Sequence, residues 1–185
     1  MLSPGCGLAA CDLACDLIVL REASTADAPA LLALKRQLDQ ETSFMLLEPD
    51  ERAADVAERR SELERIVAAP NSVVIVATSG ETLLGYVELS GGAFRRNART
   101  AELVIGVAAA ASGQGVGARL LARAEAWARL HGLHRIELTV MAHNARTARV
   151  YERHGFQLEG RRRQCLLVDG KYVDELYMAK LLANH

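Results

Sequence analysis

The spacing of apolar residues along this chain alternates between helical and strand-like rhythms. Residues 17–20 form a short apolar run suited to a buried strand. Ser24 or Thr25 stands where a helix cap belongs, and Pro29 is tolerated in a first turn. Beyond them Ala30, Leu31, Leu34 and Leu38 recur at helical spacing. Residues 41–50 are irregular and end in turn chemistry. A second helix is predicted over 51–69, with Val56, Leu63, Ile66 and Val67 as its apolar stripe and Pro70-Asn71 as its stop.

Strands follow. Residues 72–77 carry Val73, Val74, Ile75 and Val76, a buried-strand composition. Gly80-Glu81 reads as a turn and 83–89 as the second arm of a hairpin. The polar, basic stretch 91–100 reads as a loop, and 101–107 as a further strand. Val116–Leu130 is an amphipathic helix, with Leu120, Leu121, Ala124, Trp127 and Ala128 on one face and Arg119, Arg123, Glu125 and Arg129 favouring the other. Gly132 ends it. Ile136, Leu138 and Val140 share one side of the next strand. Residues 101–140 therefore read as a parallel strand–helix–strand crossover. Residues 145–154 form a short helix closed by Gly155, with Phe156 packing back. Two last strands meet at Asp169-Gly170, a type I′ hairpin signal. The sum is one mixed α/β sheet covered by helices, with no internal repeat and no linker.

Composition narrows the class. The chain has 185 residues, half of them apolar, and a formal net charge of −1. That is enough for one domain with a core, and it supplies no global basic field for nucleic acid or anionic membrane. No apolar run approaches the ~20 residues of a membrane span. The basic triplets Arg95, Arg96, Arg99 and Arg161, Arg162, Arg163 read as solvated faces. Residues 1–16 hold Cys6, Cys11, Cys15 and two aspartates but no Lys or Arg, which is not the pattern of a secretory signal. They read as a flexible N-terminal extension to a domain spanning 17–185 in a cytoplasmic protein. The cysteines lack paired zinc spacing, and the histidines form no metal pattern, so no metal is expected. Cys165 reads as a small core residue, and His131, His134, His143 and His154 as surface groups near element ends.

The densest chemical signal lies between strand 101–107 and the helix at 116. Gly113, Gly115 and Gly117 allow tight turning and close approach of a ligand. The first N–H groups of the helix lack internal partners and carry the positive end of its dipole. Residues 113–118 are thus a candidate cradle for a diphosphate. No Walker lysine is present. Gly113, Gly115 and Ala118 match a dinucleotide fingerprint, but that loop follows its strand directly, whereas residues 108–112 intervene here.

These residues resemble the GNAT superfamily of N-acetyltransferases, whose loop reads V-x-x-x-x-[RQ]-x-x-G-x-[GA]. Val107, Gly115 and Gly117 fall in register, and Ser112 occupies the position of the family's Arg or Gln. The later segment from Asn144 through Tyr151 to Gly155-Phe156 is similar to the family's N-x-x-A-x-x-L-Y-x-x-x-G-F, with Val150 for Leu. The resemblance covers about residues 17–182. It implies a seven-stranded mixed sheet splayed between strands 4 and 5 and flanked by about four helices. It also implies acetyl-CoA as co-substrate, bound by Val107, Ser112, Gly113, Gln114, Gly115, Val116, Gly117, Ala118 and Asn144. The pantetheine arm would lie in the splay, with backbone near Val107 polarising the thioester carbonyl. Asn144 reads equally well as a plain helix N-cap. Homodimers are common in the family.

Acetyl transfer to an amine needs removal of a proton from a group that titrates near ~10, stabilisation of the carbonyl oxygen, and tolerance of a departing thiolate. Glu102, a carboxylate in an otherwise apolar strand, is the candidate base. It resembles the acid proposed for that role in the branch that includes phosphinothricin and polyamine acetyltransferases. A salt bridge to Arg99 is the other reading. Tyr151 is the candidate acid toward sulfur, or else an amphipathic tyrosine at a helix end. The acceptor pocket would be formed by the first two helices and the last hairpin. There Glu41, Glu48 and Asp50, or Asp174 and Glu175, either attract a cationic amine or are solvated. Amino acids, polyamines, aminated antibiotics and protein N-termini all remain possible acceptors. A non-catalytic acyl-CoA sensor and a dinucleotide-binding domain are the competing functions.

Overall fold

A computed structural model describes residues 18–52 and 55–182. Among these residues seven strands and four α-helices follow one another as β1 (Val19–Glu22), α1 (Ala28–Glu41), α2 (Val56–Ala68), β2 (Val73–Ser79), β3 (Thr82–Gly91), β4 (Thr100–Val107), α3 (Val116–Leu130), β5 (Arg135–Met141), α4 (Ala145–Arg153), β6 (Gln157–Val168) and β7 (Lys171–Leu181). The sheet order is β1-β2-β3-β4-β5-β7-β6. Every neighbouring pair is antiparallel except β4–β5. This is the mixed, seven-stranded sheet with four helices that the resemblance implies. No described helix is long and apolar enough to cross a membrane.

The sheet has a core on each face, and strand alternation assigns residues to them. On one side Val73, Ile75, Val87, Leu89, Ala101, Leu103, Ile136, Leu138 and Met178 pack with α3, α4 and Phe156. On the other, Val74, Val76 and Tyr86 pack under α1 and Leu63 of α2. β2 is covered on both faces, so it reads as a continuous apolar run rather than an alternating one.

Three local expectations shift. β1 runs from Val19 to Glu22 rather than over 17–20, because its extent is set by pairing with β2. Glu22 lies opposite Ile75, and the Ala23 N–H then donates to the Val74 carbonyl at 2.8 Å. Residue 17, like the cysteine-bearing segment before it, lies outside the described residues. α2 begins at Val56 rather than at 51, since the Asp55 carboxylate caps it by accepting the Ala57 N–H at 2.7 Å. Of its expected stripe only Leu63 is buried and Ile66 packs against the core, whereas Val56 and Val67 are exposed. Cys165 is half-buried in the β6–β7 hairpin, with Sγ 3.4 Å from the Arg162 carbonyl, and is not a core residue.

Local signals elsewhere fold as read. Asp169 and Gly170 both take positive φ (49° and 73°), the backbone of a type I′ turn. Gly155 closes α4 at φ 84°, and the Phe156 ring packs 5.7 Å from that of Tyr151.

Candidate active site

β4 and β5 pair only over Thr100–Glu102 and Arg135–Glu137. Beyond that point β4 continues to Val107 along β3, and β5 continues to Met141 along β7, but no ladder joins them. The backbone edge of β4 after Glu102 therefore faces a gap bordered by strands on both sides. An extended chain entering it would find unused strand-edge groups.

The loop after β4 leads to the second feature. The residues between strand and helix form a 3-10 turn, Ala109–Ala111, that lifts the chain away before the glycines, unlike a dinucleotide loop. Gly113 and Gly115 take φ of 81° and 78°, the left-handed region that disfavours any side chain. Gly115 is the N-cap of α3, and the first N–H of the helical ladder, that of Arg119, returns to the Gly115 carbonyl at 3.1 Å. The N–H groups of residues 113–118 donate to no acceptor among the described residues. Gly117 differs from the other two glycines. It sits in the first turn of α3, and a Cβ there would meet only Val107 Cγ2, at 3.7 Å. Ser112 is exposed, and the Gln114 side chain reaches back to the Ala110 carbonyl at 2.9 Å, bracing the loop.

Across the gap, Asn144 caps α4. Its Oδ1 accepts the Thr147 N–H at 3.2 Å, which leaves its Nδ2 without a partner among the described residues. The N-cap reading thus holds and still leaves a donor free.

Glu102 projects from the face of β4 opposite Ala101 and Leu103, in an exposed position. It makes no ion pair or hydrogen bond among the described residues, so the alternative bridge to Arg99 is not formed. Its neighbours in register are Ser90 on β3 and Glu137 on β5. Glu137 is held by Arg135, whose Nε donates to it at 2.7 Å, while the same guanidinium forks onto Glu159 at 2.8 and 2.5 Å. These hydrogen bonds raise the Arg135 pKa. The hairpin acids are similarly engaged. Asp174 accepts from Arg161 and from the Gln164 N–H, and Glu175 accepts from Arg162 at 2.8 Å.

Tyr151 belongs to the other face. It is buried in the core with α3, and burial pushes its phenol up to about 12. Its hydroxyl has no hydrogen-bond partner among the described residues. Glu102 and Tyr151 thus lie on opposite faces of the sheet.

The loop after α1 is more tightly held than its composition suggested. Glu41 is the last residue of α1, and its Oε2 accepts the Ala109 N–H at 2.8 Å. The Phe44 ring meets His143 with centroids 5.2 Å apart. Asp39 and Arg52 form a buried ion pair that fixes the far end of the loop. None of these contacts is visible in the sequence, since each joins residues far apart in the chain or lies in a segment without periodicity. The sequence marks Glu41 only as one of several acids that either attract an amine or are solvated.

Residues 36–156 match the sequence profile of the acetyltransferase (GNAT) family. The chain is similar to the L-amino acid N-acetyltransferase AaaT of Escherichia coli (strain K12), with 30% identity over 122 residues, 64% of this chain and 74% of that protein. Its fold is similar to that of a GNAT-family acetyltransferase from Streptococcus pneumoniae, with a TM-score of 0.86 and 27% identity over 90% of this chain and 100% of that one. It is also similar in fold to yncA from Salmonella typhimurium, solved with its cofactor acetyl-CoA, with a TM-score of 0.81 and 24% identity over 91% and 96% of the two chains.

Proposed function

Because the chain belongs to the acetyltransferase (GNAT) family, we propose that it transfers an acetyl group from acetyl-CoA to the primary amine of a small molecule, by direct attack within a ternary complex. The observation that carries this reading is the pairing of an unladdered β4–β5 gap with a run of unused N–H groups at residues 113–118. A thioester on a long amide-bearing arm with a diphosphate at its far end matches both features at once.

In this reading the N–H groups of residues 113–118, with the exposed Ser112 beside them, hold the diphosphate. The β4 edge up to Val107 pairs with the arm, and Asn144 Nδ2 donates to it from the other side. A β4 N–H facing the gap between Glu102 and Val107 stabilises the oxygen that gains charge during attack. Glu102, free of partners and open to solvent, takes the proton from the amine directly or through one water. The N–C bond forms and the C–S bond breaks. Tyr151 donates a hydrogen bond to the departing sulfur, which takes a proton from solvent on release. No covalent acyl-enzyme is needed.

The acceptor we favour is a free amino acid. The most identical of the relatives above is named as an L-amino acid N-acetyltransferase. An amino acid brings a carboxylate alongside its amine, and the loop just before β4 carries Arg95, Arg96 and Arg99, exposed and without ion-pair partners among the described residues. A polyamine, cationic along its length, would gain nothing from them. Free-thiol release from acetyl-CoA, followed with a panel of amino acids and polyamines, tests the proposal. Turnover with amino acids supports it. Turnover with polyamines alone would remove the acceptor assignment, and no release with any amine would remove the activity.

A further inference from the structure

Two contacts of the α1–α2 connection fall on opposite banks of the β4–β5 gap. On the β4 side the Glu41 carboxylate holds the N–H of Ala109, two residues beyond the end of the strand. On the β5 side the Phe44 ring rests on His143, two residues beyond the end of that strand. Residues 41–44 therefore cross the mouth of the gap. Three residues of extended chain reach about 10 Å before side chains extend them. Two strand spacings, the width that admits one extra extended chain, also come to about 10 Å.

The crossing is built, not accidental. α1 lies directly on β4 because Gly106 has no side chain, and a Cβ there would come within 2.5 Å of Leu38 Cδ1. Leu38 and Glu41 are neighbours on one helix face, so seating the first aims the second at the strand exit. Gln37 Nε2 donates to Glu41 Oε1 at 2.6 Å and fixes the carboxylate. Thr42, extended, ends the helix, and its hydroxyl accepts the Phe44 N–H at 3.2 Å, turning the chain toward His143.

We propose that residues 41–44 are a strap over the gap, and that Glu41 is a positioning residue which sets the start of the glycine loop relative to β4. This rests on the acetyl-CoA reading above. A ligand that touches the β4 edge with its arm and residues 113–118 with its diphosphate needs those two surfaces in fixed relation. Ala109 is the joint between them, and Glu41 holds that joint from outside the loop.

Titration of coenzyme A into the wild type, Glu41→Ala, Glu41→Gln and Phe44→Ala by calorimetry, with Tm and kcat measured on each, tests the strap. Glu41→Ala should weaken coenzyme A by about three- to tenfold, the range of one net hydrogen bond. Its Tm should fall by only a few degrees, as for the loss of one exposed hydrogen bond, and its kcat should stay near wild type, because Glu41 does not touch the reacting atoms. Glu41→Gln should restore affinity, since an amide oxygen accepts the same N–H. Phe44→Ala should weaken binding in the same direction. Unchanged affinity in Glu41→Ala, or no rescue by Gln, overturns the strap while leaving the acetyltransferase reading in place. A folded wild type that does not bind coenzyme A at all overturns both.

Discussion

Alanine at Gly115 and alanine at Gly117 should push this protein in opposite directions, although the positions are almost adjacent. Gly115 caps α3 at φ 78° and ψ 4°. An L side chain in that region costs about 1–2 kcal/mol. Nothing lies within 4 Å of a Cβ built there, so no clash adds to the cost. Gly117 lies within α3 with an ordinary φ, and its Cβ would make a normal van der Waals contact with Val107 at 3.7 Å. Alanine there removes backbone freedom from the unfolded chain and gains about 0.5–1 kcal/mol. For a chain of this size each kcal/mol moves Tm by about 2–4 °C. Scanning calorimetry should then show Gly115→Ala melting about 2–8 °C lower than wild type and Gly117→Ala about 1–4 °C higher. Coenzyme A affinity gives the functional half of the test. The Gly115 methyl projects into the open space in front of unused N–H groups and should weaken binding by about tenfold or more, ~1.4 kcal/mol. The GNAT pattern accepts Gly or Ala at the position of Gly117, so its alanine variant should bind within about twofold of wild type, under ~0.5 kcal/mol. A lower Tm for Gly117→Ala would refute the account of the loop. Undiminished coenzyme A binding by Gly115→Ala would show that the diphosphate sits elsewhere.

Three other outcomes follow from the site and its surroundings. Glu102→Gln should lower kcat/KM by about a hundredfold near neutral pH, the lower range for a general base. The deficit should shrink as pH rises and the amine loses its proton unaided, and a pH-independent deficit would remove Glu102 as base. Tyr151→Phe should lower kcat by about ten- to a hundredfold, the worth of one hydrogen bond to a charged group, and an unaffected kcat would reduce Tyr151 to a packing residue. Its phenol, held up at about 12 by burial, should contribute no alkaline limb to the wild-type pH–rate profile below about pH 11. Two hydrogen bonds from the Arg21 guanidinium, with the Ser24 N–H, hold Asp27 at about 2 against an ordinary value of 3.8. Because the folded state depresses this pKa, the stability it contributes is complete above about pH 4 and is lost as pH falls toward 2. Asp27→Asn should be less stable than wild type at neutral pH, with the difference closing over that window in denaturant titrations. A constant difference across it would contradict the linkage.

What the sequence disclosed and what it hid divide along the range of the interactions. The entry of α3, the cap at Asn144, the stop at Gly155 and the Asp169-Gly170 turn all depend on residues within a few positions of each other. Their chemistry was readable, and the structure reproduces it. The limits of β1 and α2 were misplaced because partners decide them: β2 extends β1 past its apolar run, and the Asp55 cap and the turn at Glu48 delay α2. The gap between β4 and β5 is an absence of pairing, and no residue pattern in either strand encodes it. Only the family resemblance supplied it. Glu102 stands out as an odd charge in an apolar strand, but whether it is paired is decided by residues of the neighbouring strand, where Arg135 engages Glu137 and Glu159. The Glu41 contact with Ala109 spans 68 positions and had no local signature.

Placing Glu102 and Tyr151 on opposite faces also constrains how they can share one reaction. A base that must return its proton each turnover benefits from water, and Glu102 is exposed. Tyr151 is buried, and its phenol near 12 is a much weaker acid than an ordinary thiol at about 8.5. Complete transfer of its proton to a departing thiolate would run uphill by roughly 3.5 pKa units, or about 5 kcal/mol. A hydrogen bond that stays on the phenol avoids that cost and still stabilises the sulfur as charge builds on it. Burial therefore does not disqualify Tyr151. In the proposed reaction it changes the role of that residue from proton donor to fixed dipole, and protons would enter and leave on the solvent-facing side of the gap. An amine approaching from the α1 side in that reaction would meet the carbonyl with Glu102 behind it, while the sulfur would recede toward Tyr151, so that attack and departure would occupy different faces of the sheet.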